Sequence, residues 1–477
     1  MNSKNVILSN LIWKFAERIA AQAVSLIVSV ILARILMPED YGAVSLILVF
    51  ITIADVFVNN GFGAALIQKK DSDELDYSSI LWVNMAISIL LYFILFISAP
   101  VISEFYSSDL TLIIRVFSIR VIVAGFNSIQ HAYVSKNMLF RKSFWSTLFG
   151  TILSGIVGVG IAFSGGGAWA LVAQYLTNSF VDTVILFFTV GWRPQFIFAL
   201  NRVKPLFLYG WRILFESLSN TIITQLRNLL IVKVYTSSDL AFYTKGQQFP
   251  NLLMANISTS ISSVLFPAMS NENDNFENVK NIMRKAVRLS SFVLFPILIC
   301  FMFVAEPFIS LVLTSKWLPA VPYLKLFCLV FLLQIGMNPR HEAMKAIGRS
   351  DVYMNEHIIY RVIDIVLLLV FIRKGVFYIL LSYLFSEIIL TGILMYTSKV
   401  YTNYSYSEQI KDIMPVSMLT AMMACILYIV SWLPINSYII MIIQIVIGAM
   451  SYLILAKLLN FEEFYYLYEK IKRIIKK

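Results

Sequence analysis

The feature that most constrains this chain is a succession of apolar stretches, each close to the length an α-helix needs to cross a bilayer. About 20 residues span roughly 30 Å of hydrocarbon, and the sequence parses into such lengths with little left between them. The expected spans are 11–35, 42–62, 79–102, 110–134, 144–164, 168–190, 206–234, 241–268, 289–313, 321–346, 353–372, 376–397, 412–432 and 437–458. They predict an all-α integral membrane protein with about 14 transmembrane helices. The longest connection, around Asn271 to Arg288, is too short for a soluble domain. Composition agrees: 14% of residues are charged, against about 25% in a soluble chain. The first stretch carries Lys14, Glu17 and Arg18 and lacks a small-residue cleavage site before Arg34, so it reads as a membrane helix and not a signal peptide.

A formal net charge of +11 would raise the question of nucleic acid in a soluble protein. Here the cations collect in alternate connections. Lys69 and Lys70 come first, followed by Lys136, Arg141 and Lys142, then Arg193, Arg202 and Lys204. Lys280, Arg284, Lys285 and Arg288 continue the series, with Arg340, Lys345 and Arg349 and the tail Lys470, Lys472, Arg473, Lys476 and Lys477. Positive loops stay cytoplasmic. With Lys4, Lys399 and Lys411 on the same side, both termini are expected in the cytoplasm and no nucleic-acid partner is expected. Cys300, Cys328 and Cys425 lie in apolar segments without CxxC spacing and read as small core residues. His131, His341 and His357 are far apart in sequence and show no ligand spacing, so neither metal nor cofactor is expected, and His131 reads as a polar helix-end residue. Asp71, Asp73, Glu74 and Asp76 read as a solvated loop face.

Other charges lie inside the spans, where each costs about 2.5–3.5 kcal/mol at a helix centre. They must face protein or water. Lys14, Arg18, Gln22, Ser25 and Ser29 recur at helical steps on one face of the first span. Arg212, Glu216, Asn220 and Arg227 repeat the pattern in the seventh. Thr52, Asp55 and Asn59 mark the second span, and Lys245, Gln248, Asn251, Thr259 and Ser262 the eighth. Arg115, Arg120, Asn127 and His131 lie on the fourth, Arg361 and Asp364 on the eleventh. Glu17 with Lys14 or Arg18, Glu216 with Arg212, and Asp364 with Arg361 can be structural ion pairs, but the surplus cations call for an anionic ligand. Lys14, Arg18, Arg120, Arg212, Arg227, Lys245 and Arg361 are therefore candidates for a phosphate or pyrophosphate site. Glu17, Asp55, Glu216 and Asp364 are candidates for coupling an ion. Prolines 250, 267, 296, 307, 319, 322 and 339 offer bendable points in the eighth to tenth spans.

An internal repeat is discernible. Trp13-Lys14, followed by Arg34 and Pro38 to Gly42, is echoed by Trp211-Arg212, followed by Lys233 and Ser237 to Ala241. The spacing gives parallel repeats and a division into 1–195, 196–405 and 406–477. The runs W-K-F-A-E-R at 13–18, L-A-R-I-L at 32–36, P-E-D-Y-G at 38–42 and G-F-G-A-A-L-I-Q at 61–68, with Ser98, Ala99 and Pro100, carry a family signal. The chain resembles the polysaccharide transporter family of the multidrug, oligosaccharidyl-lipid and polysaccharide exporter superfamily, specifically the Wzx-type flippases.

The resemblance implies two pseudo-symmetric six-helix bundles around a central cavity, plus two C-terminal helices. It implies a substrate built as an oligosaccharide on a polyprenyl diphosphate, moved from the cytoplasmic to the outer leaflet of a bacterial plasma membrane and driven by H⁺ or Na⁺. The family's cationic cavity maps onto Lys14, Arg18 and, through the repeat, Arg212, with polysaccharide polymerase or export proteins as further partners. The competing readings are a multidrug exporter of the same superfamily, a membrane enzyme of the pathway, and a non-transporting member of a synthase complex. Excess basic residues argue against the first, and the lack of a large loop against the second.

Overall fold

The computed structural model describes residues 3–59, 62–69, 71–272 and 275–475. Gly61, Lys70, Lys476 and Lys477 lie outside the described residues, as do the side chains of Lys4, Arg212, Thr259, Ser262, Pro267 and Arg473. About 87% of the chain is helical. In chain order the helices are α1 (Ser3–Ile35), α2 (Pro38–Asn59), α3 (Phe62–Gln68), α4 (Glu74–Phe105), α5 (Thr111–Phe117), α6 (Ile119–Lys136), α7 (Phe140–Phe163), α8 (Ala168–Thr189) and α9 (Leu200–Val234). They continue with α10 (Ser237–Ser270), α11 (Phe276–Leu313), α12 (Val321–Gln334), α13 (Met337–Ala346), α14 (Ser350–Phe371), α15 (Val376–Thr402), α16 (Tyr406–Val430), α17 (Ser437–Leu458) and α18 (Glu462–Ile475).

Among the described residues, eleven helical segments are long and apolar enough to cross a membrane. The three other expected spans coincide with α9, α10 and α14, which have the length but carry more polar residues. On α14 the outward residues Ile358, Val362, Val366 and Leu369 are exposed at helical spacing, while Glu356 and Asp364 are buried. Lipid on one side and protein on the other explains that distribution. The same ridge is present on α4, where Leu90, Ile94, Ile97 and Val101 are exposed, Ile97 by 71%. Water would not tolerate such rows, and hydrocarbon does.

The chain forms two compact units, Met1–Ala241 and Phe242–Lys477. In the first, α1 packs on α7 and α7 on α8, while α2, α4, α6 and α8 surround one another and α9 lies along α2, α3 and α4. Its apolar core includes Phe62, Leu66, Ile80, Ile129, Val203 and Leu206 with Tyr77 and Trp192. The Tyr77 and Trp192 rings lie 5.7 Å apart. In the second unit α11 is the hub, flanked by α12, α16 and α17.

Helix starts follow from capping chemistry. Asp73 caps α4 and Asp76 returns the bond to its backbone, a reciprocal box that satisfies two orphan donors. Asp76 is also fully buried and pairs with Lys69 at 2.5 Å. Asp71, Asp73 and Glu74 stay exposed as the solvated face expected, while Asp76 turns inward as an ion-pair anchor, because the helix begins two residues before it. Ser405 and Glu408 form the same box on α16.

Candidate functional site

The site is a cavity of about 550 Å³ inside the first unit. From α2 it receives Asp55 and Asn59, one helical turn apart. From α6 come Arg120, Ala124, Asn127, His131 and Ser135, a single face at steps of four, three, four and four. From α8 come Asn178, Ser179 and Asp182, and Ile213 of α9 adds an apolar contact.

The register of α6 is fixed by a close approach to α4. A Cβ at Gly125 would stand 2.1 Å from Ser88 Oγ, so only glycine fits. Asn84 Nδ2 then donates to Gly125 O and to Ser128 Oγ, both at 2.8 Å, and Ser128 Oγ donates to Val58 O of α2 at 3.1 Å. These bonds tie α2, α4 and α6 together one turn from the charges. Small residues at helix contacts are the usual means of such approach in lipid.

Two charged groups result. Arg120 Nη1 lies 3.0 Å from Asp55 Oδ2, and its Nε donates to Ser179 Oγ at 3.2 Å. Across the cavity, Asp182 Oδ2 accepts from Asn127 Nδ2 at 2.7 Å and from His131 Nε2 at 2.9 Å. The carboxylate can only accept, so Nε2 carries the proton. Counting histidine as neutral, two carboxylates face one guanidinium and the lining bears one net negative charge.

The sequence-predicted residues fall in several places. Asp55 and Arg120 come together in this cavity. Lys14 is exposed and pairs with Glu17 at 3.2 Å. Glu17, 9% exposed, turns into the α1–α7 contact and accepts from Ser143 Oγ at 3.0 Å and Thr147 Oγ1 at 3.4 Å. Arg18 is half-buried on α1 and Arg227 is buried on α9. Neither lines the cavity. The Arg212 side chain lies outside the described residues, and Glu216 is exposed. In the second unit, Lys245 is buried, donates to Gln248 Oε1 at 3.0 Å and sits 5.8 Å from the Trp317 ring centroid. Asp364 is buried and accepts from Ser386 Oγ at 2.8 Å, while Arg361 is half-buried.

Several residues differ from expectation. His131 is a cavity residue bonded to Asp182, not simply a polar helix end. His341 and His357, distant in sequence, have ring centroids 5.0 Å apart, with Tyr353 4.4 Å from His357. Cys328 is buried as expected, but Cys425 is exposed, facing outward from an apolar helix where lipid is its neighbour. Arg284 and Arg288 lie on α11 and converge on buried Asp412, at 2.7 Å each. Asp182 and Asn178 were not singled out by the sequence reading. The signal was available: an aspartate within the apolar run YLTNSFVDTVILFF, with an asparagine four residues earlier on the same face. Among the described residues no group of three or more His, Cys, Asp or Glu is arranged to hold a metal ion.

Comparison with known proteins shows the family and the fold of the chain. The teichuronic acid biosynthesis protein TuaB of Bacillus subtilis is 28% identical over 62% of this chain, and the match spans 62% of TuaB's own length. The lipopolysaccharide biosynthesis protein WzxC of Escherichia coli is 26% identical over 74% of this chain and 72% of WzxC. Among solved structures, the lipid II flippase MurJ in its inward closed conformation superposes with a TM-score of 0.75 over 94% of this chain and 98% of MurJ, at 18% identity, so the two share a fold. The model of the polysaccharide biosynthesis protein family matches residues 31–322, more than half of the chain, and this multi-pass membrane protein belongs to that family.

Proposed function

We propose that this protein is a flippase that carries a polyprenyl-diphosphate-linked oligosaccharide, a polysaccharide repeat unit, from the cytoplasmic to the outer leaflet of a bacterial plasma membrane. Transport proceeds by alternating access driven by H⁺ or Na⁺, with both termini cytoplasmic and the chain divided by repeat at 195 and 405. The observation that carries this reading is a polar, ion-paired cavity within helices that are otherwise long and apolar, on the fold of a lipid-carrier flippase. Charges at that depth are costly against hydrocarbon and are retained where a hydrated ligand passes. Arg120 presents planar donors suited to a diphosphate, and Lys14, Arg18, Arg212 and Arg227 of the first unit and Lys245 and Arg361 of the second are further basic candidates, each taken within its own unit. The carbohydrate occupies hydrated space and the polyprenyl tail stays in lipid.

The test is deletion of the gene in its host, scored for surface polysaccharide and for lipid-linked repeat units. The expected result is loss of the first and accumulation of the second, both reversed by the wild-type gene. A deletion strain with normal polysaccharide and no accumulated intermediate refutes the proposal.

One observation favours a second reading. The described cavity holds two carboxylates against one guanidinium, which suits an organic cation and hence a multidrug exporter. A host strain made hypersensitive to cationic dyes by the deletion, with polysaccharide unchanged, selects that reading.

A further inference from the structure

Helix α18 begins where a membrane crossing ends. Leu459, Asn460 and Phe461 alone separate it from α17, which is long and apolar enough to span a bilayer, so α18 starts at the level of the lipid headgroups. One side of it is packed: Phe461, Phe464 and Leu467, at steps of three, rest on the core around Phe292, Leu419 and Tyr452. Tyr465 and Tyr468, one turn apart, are exposed together with Lys470 and Lys472. At this depth tyrosine and lysine keep an apolar body or stem against lipid and a polar tip among headgroups.

Between α18 and the first turns of α11 lies a cavity of about 430 Å³. The carboxylates around it are already engaged. Arg288 meets Glu462 at 3.4 Å and Glu463 at 3.9 Å, while Arg284 meets Glu408 at 3.3 Å and Asp412 at 2.7 Å. Lys285 lines the same cavity, and its Nζ lies 4.5 Å from the centroid of the Tyr466 ring. Lys470 Nζ lies 4.8 Å from that same centroid. Among the described residues neither ammonium group has a carboxylate within ion-pair distance. Two like charges gathered on one ring repel each other, and a shared anion reverses that cost.

We propose that this cavity takes the headgroup phosphate of an anionic phospholipid from the leaflet in which α18 lies, with Lys285 and Lys470 as its donors and the Tyr466 ring as its wall. Lysine's mobile stem lets the two ammonium groups converge on one phosphate. Depth selects a lipid over a free phosphate: Leu289 lines the cavity, and Leu458 and Leu459, exposed by 69% and 53%, offer apolar surface to acyl chains beside the start of α18. Charge selects an anionic lipid over a zwitterionic one. Residues 470–477 carry Lys470, Lys472, Arg473, Lys476 and Lys477 and no acid, and each basic side chain near a negative leaflet adds attraction. The site is independent of which molecule the protein carries.

The experiment is fluorescence anisotropy of a tail-labelled phosphatidylglycerol on the purified full-length protein in detergent. The competitors are unlabelled phosphatidylglycerol, phosphatidylcholine with the same acyl chains, and inorganic phosphate at constant ionic strength. Phosphatidylglycerol is expected to displace the probe at least fivefold more effectively than phosphatidylcholine, and millimolar phosphate not to displace it. Lys285→Gln/Lys470→Gln brings the ratio below twofold, and Lys374→Gln, in the connection before α15, leaves it unchanged. Should the paired variant fail to give monodisperse protein, Lys470→Gln alone, at an exposed position, is expected to halve the ratio. Equal displacement by the two lipids in the wild type overturns the inference, as does a ratio undiminished in the paired variant, or in Lys470→Gln where the pair cannot be made. A loss in Lys374→Gln as large as in the pair reduces the effect to overall charge and also overturns it. Displacement by inorganic phosphate assigns the two lysines to a free anion and overturns the lipid.

Discussion

Separating Asp55 from Arg120 distinguishes a packing role from a transport role for this pair. Their 3.0 Å contact has both side chains mostly out of solvent, at 24% and 17% exposure for Arg120 and Asp55. Arg120→Gln leaves the Asp55 carboxylate without a counter-charge beside an oxygen that already lacks a donor. Stranding such a charge costs about 2–5 kcal/mol; partial exposure to the cavity places the expectation near 3 kcal/mol. At roughly 2–4 °C per kcal/mol for a unit of this size, the unfolding midpoint drops by roughly 6–12 °C. Asp55→Asn costs less, because Arg120 keeps Ser179 and its long side chain can reach the cavity. The neutral pair Asp55→Asn/Arg120→Gln removes both charges and returns to within about 1 kcal/mol of wild type. The assay is thermal unfolding of purified protein in detergent, run beside complementation of surface polysaccharide. A fold-only role predicts that the double variant recovers both stability and polysaccharide; the transport role predicts recovered stability without polysaccharide. Additive losses in the double variant refute the electrostatic reasoning altogether.

Gly125→Val drives a branched side chain into Ser88 and is expected to cost about 1–3 kcal/mol, read as a lower unfolding midpoint that Ser88→Gly partly restores. Asp412→Ala strands Arg284, Arg288 and the Tyr404 hydroxyl, which meets Asp412 at 2.6 Å, and is expected to cost about 3–5 kcal/mol, seen as a loss of monodisperse protein on size exclusion. Asp73→Ala removes the cap of α4 and about 1 kcal/mol. The Asp76 backbone N–H holds the Asp73 carboxyl below its ordinary range. A depressed folded-state pKa gives stability that is present above the unfolded value of about 4 and lost as pH falls through the folded one. The difference in midpoint between wild type and Asp73→Ala therefore shrinks between pH 7 and pH 3; a constant difference contradicts the assignment.

The membrane architecture was legible because hydrocarbon imposes a length and a polarity on every crossing, and runs such as 412–432 and 437–458 satisfy both. The caps at Asp73 and Ser405 were also legible in principle, since each has its acidic partner three residues on. Pairing was not. Helical spacing places Lys14 and Arg18 on one face of α1, but which neighbour covers that face is decided by α7, where Ser143 and Thr147 draw Glu17 inward. Arg120 had no acidic residue on its own helix, and its partner came from α2, 65 residues earlier. Asp182 lay in an otherwise apolar run and drew no attention until α6 brought Asn127 and His131 against it. Those meetings depend on the Gly125 approach and the Asn84 bonds, which no single helix reveals.

Reconstitution offers the most direct test of the central claim. Purified protein is placed in liposomes carrying a fluorescent polyprenyl-diphosphate-linked oligosaccharide, and an impermeant quencher reports how much substrate is exposed on the outer leaflet. The account predicts that about half the fluorescence stays protected in empty liposomes and that protein lowers this fraction, more slowly in Asp55→Asn/Arg120→Gln. Protection identical with and without protein, across imposed Na⁺ and proton gradients, contradicts it.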